Sequence, residues 1–217
     1  MKRIIFFILI TTIAFSACKN EDNDPQPLPE SSVLKYFPLT VGNYWVYEQS
    51  LCDSTWIDCE SKSIDTNFVT KDTLINDLKY YKIEGVGLLG HTDPIFLRDS
   101  LNYIVDVHGT IHISDTDFEN KISERYVTNS ENDTVYYLYR QIKDMPNNIE
   151  VPVGIFNCLD NKTYFYRSSE NFEQEFNTHY LFAKDIGPVY ENVMFAGSLG
   201  GYKKELVDYN ILSKDNQ

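Results

Sequence analysis

Short runs in which apolar and polar residues alternate recur along most of the chain, separated by Gly, Asn, Asp and Pro. A period of two indicates strands that bury one face, and patterns with the 3.6-residue period of an amphipathic helix are scarce. The predicted strands are 44–49, 67–74, 79–84, 95–98, 103–107, 111–114, 122–127, 134–142, 156–166, 180–183, 189–195 and 202–209. The pattern therefore predicts an antiparallel all-β domain with little helix.

The first 17 residues follow a different pattern. Met1-Lys2-Arg3 precedes an uncharged, mostly apolar run over 4–17, and this order is typical of a secretory signal peptide. The run is shorter than the about 20 apolar residues that a membrane-spanning helix needs. We therefore expect 1–17 to be removed on export, so that the mature chain starts at Cys18.

The segment Phe15-Ser16-Ala17-Cys18 resembles the lipobox of bacterial lipoproteins, with Phe15 where Leu is usual. The resemblance implies that the Cys18 thiol carries a diacylglycerol and that its new amine is acylated. At about 0.8 kcal/mol per buried methylene, several acyl chains make release from the membrane negligible. The alternative is ordinary cleavage after Ser16, because Ala14-Phe15-Ser16 also has small residues at the required spacing.

Residues 18–32 have almost no apolar side chain to bury, and they predict a disordered acidic tether that three prolines extend. A lipidated Cys followed by Lys and acids resembles the signal that sends Bacteroidota lipoproteins to the outer face of the outer membrane. We therefore expect an outer-membrane lipoprotein exposed at the cell surface. The alternative is a solvated linker on a protein that faces the periplasm.

The charge balance excludes one class of partner. Without Lys2 and Arg3, the mature chain keeps 17 basic against 32 acidic residues, a net charge of −15. A surface this acidic repels phosphate backbones and anionic lipid head groups. We expect no nucleic-acid partner, and the lipid at Cys18 rather than a basic patch must hold the protein to the membrane. Residues 33–217 are enough for a single β domain with one sizeable core.

Four segments together resemble a family of uncharacterised envelope lipoproteins, mostly from Bacteroidota. They are YFPLTVGNYWVY (36–47), VPVGIF (151–156), YLFAKDIGPV (180–189) and ELVDY (205–209). The first three are similar to the family's F-P-L-x-x-G-N-x-W-x-Y, V-P-A-G-x-F and Y-x-Y-A-x-G-V-G-x-V, although Val153 and Asp185 stand where Ala and Gly are usual. The resemblance implies an antiparallel meander that forms a strongly curved sheet or a barrel-like domain, and it implies no activity.

No motif of known catalytic chemistry is complete. Residues 196–200 (AGSLG) faintly resemble a nucleophile elbow, but no His follows His179, so a glycine turn is favoured. Residues 115–126 begin like a calcium loop, yet its sixth position is Asn120 and its twelfth is Tyr126, which favours a solvated acidic turn.

The four histidines, His91, His108, His112 and His179, are predicted to form no chelating set. His108 and His112 would stand about 13 Å apart along an extended chain, too far to share a zinc ion. We therefore expect no metal and no cofactor.

Two aromatic clusters could form a glycan-stacking face. Their members are Tyr136, Tyr137, Tyr139, Tyr164, Phe165 and Tyr166. Alternation places half of each cluster in the core, so core packing is favoured. The leading hypothesis is a non-enzymatic binding module for a hydrophobic ligand, a glycan or a protein partner. The alternative is a small glycan-active hydrolase that uses a carboxylate pair.

Four Asp-Ser/Thr sites resemble the acceptor pattern for O-glycans on exported Bacteroidota proteins. The acceptors would be Ser54, Thr73, Ser100 and Thr134.

The cysteines predict one disulfide. Export leads to an oxidising compartment, and Cys52 and Cys59 flank a polar loop that can bring its ends together. Cys158 follows Phe156 at strand spacing, which predicts a buried free thiol on the same face. The alternative is three free thiols.

Alternation also predicts how the strands 103–107 and 111–114 pair in a hairpin. If 108–110 form a three-residue loop, Val105 faces Ile113, and Asp106 lies opposite His112 on the solvent face.

Overall fold

The computed structural model describes residues 32–91, 94–145, 148–167, 176–195 and 200–212. Fourteen strands are found in these ranges. They are β1 (Tyr44–Cys52), β2 (Cys59–Ile75), β3 (Leu78–Glu84), β4 (Ile95–Ser100), β5 (Tyr103–Asp106), β6 (Ile111–Ser114), β7 (Lys121–Thr128), β8 (Thr134–Asp144), β9 (Ile149–Val151), β10 (Gly154–Phe156), β11 (Cys158–Arg167), β12 (Phe176–Ala183), β13 (Gly187–Met194) and β14 (Gly201–Asn210). Two short 3-10 turns, Ser32–Lys35 and Leu88–Gly90, complete the regular structure of these ranges.

Twelve strands form one antiparallel sheet in the order β6-β5-β4-β3-β2-β1-β14-β13-β12-β11-β8-β7, and β9 and β10 form a separate hairpin. The first and last strands pair in the middle of the sheet. The edge strands β6 and β7 are neighbours in sequence, and the sheet curls into a nearly closed, barrel-like form. The prediction of an all-β, strongly curved antiparallel sheet is confirmed. We call the gap between β6 and β7 the seam.

The family-like segment 36–47 organises one end of the core. Trp45 is fully buried, donates from Nε1 to the carbonyl of Ile186 (2.8 Å), and packs edge-on against Phe37 with ring centroids 5.7 Å apart. Gly187 passes so close to this indole that a Cβ there would lie 3.0 Å from Trp45 Nε1, and its φ of +107° also favours glycine. Asp185, where the family usually has Gly, takes the left-handed conformation with φ 63°.

The sequence pattern misses the first half of β2 and the β9–β10 hairpin. Residues 59–66 are rich in Ser, Thr, Lys and acids, so they lack the apolar alternation by which strands are recognised. The β9–β10 hairpin has only three residues on each side, and Pro152 and Val153 form its turn.

The predicted register of the β5–β6 hairpin is wrong. Val105 pairs with Ile111, and a bulge at Val105 shifts the register so that Ile104 pairs with Ile113. The Asp106 carboxylate accepts hydrogen bonds from the backbone N–H groups of His108 (2.8 Å) and Thr110 (2.9 Å), which stabilises a longer loop. Asp106 and His112 are therefore buried together rather than exposed to solvent.

Cys52 and Cys59 are joined by a disulfide at the β1–β2 turn, where they are register partners. Cys158 is a buried free thiol, and burial, helped by the nearby Asp160 carboxylate, raises its pKa to about 12.

The predicted signal peptide 1–17, Cys18 and all of the tether except residue 32 lie outside the described residues. Among the residues described, no helix is long and apolar enough to span a membrane.

Candidate functional site

An array of tyrosines covers the outer face of strands β7, β8 and β11. The register pairs Tyr126 with Tyr137 and Tyr137 with Tyr166, which makes one row across three strands. Tyr139 pairs with Tyr164 two residues further along the same face. Side chains two residues apart on a strand share a face, so strand alternation and register together produce the array. We call these five residues the tyrosine face.

Most neighbouring rings of the tyrosine face are stacked, whereas the rings of Tyr137 and Tyr139 are tilted by 40°. Tyr139 stacks on Tyr164 with centroids 4.7 Å apart and an interplanar angle of 18°. Tyr126 stacks on Tyr137 at 4.9 Å, and Tyr166 is within about 6 Å of both Tyr137 and Tyr139. Tyr126 and Tyr166 remain 65% and 39% exposed. The face is therefore an aromatic surface that solvent reaches.

The aromatic clusters at 136–139 and 164–166 divide between the outer and inner faces of the sheet, as strand alternation requires. Tyr137, Tyr139, Tyr164 and Tyr166 belong to the outer face, and Tyr126 joins them from the neighbouring strand. Phe165 pairs with buried Leu138 on the inner side. Core packing therefore accounts for only part of the clusters, and sequence alternation could not show that three strands bring the outer halves together.

Charged side chains cross and border the tyrosine face. Lys121 Nζ donates to the Tyr137 hydroxyl (2.7 Å) and lies 4.7 Å from the Tyr139 ring centroid. The Tyr137 hydroxyl in turn donates to Glu124 Oε2 (2.7 Å). This hydrogen bond, together with the Lys121 cation, holds the pKa of Glu124 below its usual value. Lys162 Nζ lies 4.3 Å from the Tyr164 ring centroid.

The chemistry of this surface suits sugars. A pyranose ring has a face of C–H groups that packs against an aromatic ring, and its hydroxyl groups both donate and accept hydrogen bonds. Stacked tyrosines supply the aromatic planes, while the lysine ammonium, glutamate carboxylate and phenol groups around them supply polar partners.

The interior contains several buried charged side chains beside its apolar core. Glu191 on β13 pairs with Lys204 on β14 and accepts a hydrogen bond from the Tyr202 hydroxyl (3.0 Å). Lys204 Nζ lies 3.3 Å from Asp65 Oδ2 and donates to the carbonyl of Val86 (2.8 Å). Burial raises the pKa of Glu191 to about 7, although Lys204 and Tyr202 act in the opposite direction.

A small chamber adjoins these charges. Asn67, Glu191 and Lys204 help to line it, and its free volume of about 10 Å³ is close to that of one water molecule. Both amide atoms of Asn67 are buried without a hydrogen-bond partner among the described residues. A drug-sized ligand needs about 300 Å³ or more, so this chamber does not admit an acyl chain or a sugar.

The predicted O-glycan acceptors lie in different environments. Ser54 is exposed in the loop that the disulfide closes, whereas Thr73, Ser100 and Thr134 are half-buried on strands or at their ends. These four acceptors stay a prediction.

Of the four histidines, two have separate surroundings. His179 Nδ1 lies 2.7 Å from Asp160 Oδ2, and His108 is exposed in the β5–β6 loop. The other two, His91 and His112, lie close together beside Asp106, a grouping that the spacing of the histidines along the chain does not indicate.

The fold class is therefore a barrel-like antiparallel sheet with an apolar core, several buried charges beside that core, and an aromatic outer face. The chain matches no family model and no curated protein. It is similar to the crystal structure of a candidate lipoprotein from Parabacteroides distasonis, with 10% identity and a TM-score of 0.46 over 81% of this chain and 98% of that one. A candidate exported protein with a YmcC-like fold from Bacteroides fragilis gives 11% identity and a TM-score of 0.43 over 79% and 96%.

Proposed function

We propose that this protein is an exported, lipid-anchored envelope protein that binds a glycan on its tyrosine face and does not cleave it. The observation that carries the proposal is a stack of five tyrosines across three strands, exposed at Tyr126 and Tyr166 and half-buried between them, beside lysine and glutamate side chains. An aromatic patch that served only the core would be covered by other elements, and Tyr126 at its edge is 65% exposed.

The dimensions of the face also favour a glycan. The row Tyr126–Tyr137–Tyr166 crosses three strands, and strands lie about 4.8 Å apart, so the row is about 10 Å long. This is close to the length of two adjacent sugar rings. A hydrophobic small molecule would need an enclosed volume, and the chamber beside Glu191 has room for about one water.

The envelope location rests on the first 32 residues. The leader at 1–17, the lipobox ending at Cys18 and the acidic tether support an outer-membrane lipoprotein displayed at the cell surface, with a periplasm-facing lipoprotein as the alternative. Display at the surface would give the tyrosine face access to glycans outside the cell.

The test is binding of polysaccharides by the purified full-length lipoprotein in detergent, measured by affinity electrophoresis and titration calorimetry. The panel should include bacterial envelope polysaccharides and mucin-type glycans. We expect retention by at least one glycan, and Tyr126→Ala and Tyr166→Ala should each weaken it about tenfold because one stacking contact of about 1.4 kcal/mol is lost.

A matched control is Tyr81→Ala on β3. Tyr81 also has a lysine over its ring, with Lys79 Nζ at 5.2 Å, and it lies on a strand remote from the tyrosine face in the sheet order. Because its ring packs partly against the core, its melting temperature must first show that the variant is folded. Binding should survive this change. Equal losses in all three variants, or no retention by any glycan, would contradict the proposal. Release of reducing sugar from a bound glycan would instead support the alternative of a hydrolase.

A further inference from the structure

Three side chains of metal-binding type, from separate segments, lie together beside β6, one of the two strands that border the seam, and we call them the seam cluster. His91 follows the 3-10 turn at Leu88–Gly90, Asp106 ends β5, and His112 lies on β6. One nitrogen or oxygen atom from each lies within 4.8 Å of the other two. Asp106 and His112 are only 4% and 2% exposed, so this is not a chance grouping of solvated surface residues.

We propose that His91, Asp106 and His112 bind a divalent transition-metal ion, with zinc as the best fit. Two imidazole nitrogens and one carboxylate oxygen form a donor set that suits Zn²⁺, and three protein ligands leave a fourth position for water. The proposal is independent of glycan binding, because the seam and the tyrosine face use different residues.

The spacing of the donor atoms fits an ion between them. His112 Nε2 lies 3.3 Å from Asp106 Oδ2, longer than the 2.7–2.9 Å of a charge-assisted hydrogen bond. Ligand atoms bound at about 2.0–2.1 Å to a tetrahedral zinc ion are about 3.3–3.4 Å apart. The rings of His91 and His112 meet edge to face with centroids 5.8 Å apart, which places the third donor beside this pair.

Neighbouring groups hold the proposed ligands in position. Asp106 Oδ1 is occupied by the backbone N–H groups of His108 and Thr110, which leaves Oδ2 for an ion and fixes the orientation of the carboxylate. Asn161 Nδ2 donates to the His112 carbonyl (2.7 Å) and so joins β6 to β11.

One nearby group opposes cation binding. The Arg140 guanidinium acts electrostatically on both Asp106 and His112. The like charge of Arg140 and the metal should weaken binding relative to an uncompensated site, so we expect dissociation constants in the micromolar range rather than the nanomolar range.

The test uses the full chain without a histidine tag, stripped of metal with EDTA and titrated with Co²⁺ and then Zn²⁺. We expect one equivalent of Co²⁺ to give a saturable visible absorption band, and Zn²⁺ to displace it. His91→Ala should weaken the binding of both ions at least about tenfold, because one of three ligands is lost. His91 is the most exposed of the three ligands, so its variant should keep the fold, which its melting temperature will show.

His108→Ala is the matched control, because His108 lies in the β5–β6 hairpin between Asp106 and His112 but is not one of the three proposed ligands. It should keep the full affinity. Absence of saturable Co²⁺ binding, or the same affinity in the His91→Ala and His108→Ala variants, would overturn the metal site.

Discussion

Buried charges in the interior make stability depend on pH in an unusual direction. The Glu191 carboxyl has an ordinary pKa of 4.5, and burial raises it to about 7 in the folded protein. The folded state therefore holds a proton that the unfolded state has released between these pH values. The extra proton held by Glu191 stabilises the folded state fully below about pH 4.5, and this stabilisation is lost as the pH rises through 7.

Glu191→Gln should remove this dependence. Relative to the wild type, the variant should gain roughly 3 kcal/mol in the free energy of unfolding between pH 4.5 and pH 8, since a pKa unit corresponds to about 1.4 kcal/mol. Urea unfolding of both proteins at the two pH values measures the difference. The exposed Glu131→Gln variant is the control and should show no such gain. A wild-type-to-variant difference that stays constant with pH would contradict the raised pKa.

Gly187 provides a second test on the scale of single residues. Gly187→Ala should lower the free energy of unfolding by about 2–4 kcal/mol, because it adds a positive-φ penalty to a clash with the Trp45 indole. Gly109→Ala has φ +79° but open space around the new Cβ, so it should cost only about 1 kcal/mol. Thermal or urea unfolding of both variants separates the two costs, and equal losses would show that the indole can move aside.

Hairpins show where prediction from sequence succeeds and where it stops. Alternation locates β5 and β6 because Ile104, Ile111 and Ile113 supply the apolar positions. It does not locate the bulge at Val105, because the bulge is stabilised by the Asp106 carboxylate, which caps the loop backbone. A one-residue shift in register moves a side chain to the other face of the sheet. The sequence therefore predicts Asp106 and His112 on the solvent face, whereas the structure buries both.

The β1–β2 hairpin carries a prediction about the disulfide. The double variant Cys52→Ser/Cys59→Ser should lose about 2–3 kcal/mol of stability, because the bond closes an eight-residue loop in the unfolded chain. The domain should still fold. Urea unfolding of the variant and the oxidised wild type gives the difference.

A thiol titration checks the pairing itself. The unfolded, unreduced and lipidated protein should contain one reactive cysteine, Cys158. Three reactive thiols, or a bridge that includes Cys158, would contradict the pairing.

At the scale of the whole molecule, the positions of most strands could be predicted from the sequence, but the order in which the strands pair in the sheet could not. Local alternation contains no information about which strand β1 meets, and β14 is its partner from the other end of the chain. The tyrosine face and the seam cluster are both products of such pairing. His91 and His112 are separated by β4 and β5 in sequence, so counting residues along one strand could not bring them together.

The lipid anchor belongs to the same scale. Cys18→Ser should move the protein from the membrane fraction to the soluble fraction, because the acidic mature chain has no other strong attraction to anionic lipid. Immunoblots of fractionated cells measure this, with Cys158→Ser as the control that should stay in the membrane. A Cys18→Ser variant that remains in the membrane fraction would show that another contact holds it there.

The position of the seam has a consequence for the connectivity of the chain. The first and last strands are bonded to each other, Tyr44 opposite Asn210, whereas β6 and β7 are joined only by residues 115–120. A circular permutant that begins within 115–120, with residue 212 linked to residue 32, would read β7 to β14 and then β1 to β6. Its strands would then follow one another across the sheet in chain order. The β1–β14 pair would become local, and among the described strands no other hydrogen-bonded pair would become distant, so this permutant should refold faster than the natural chain.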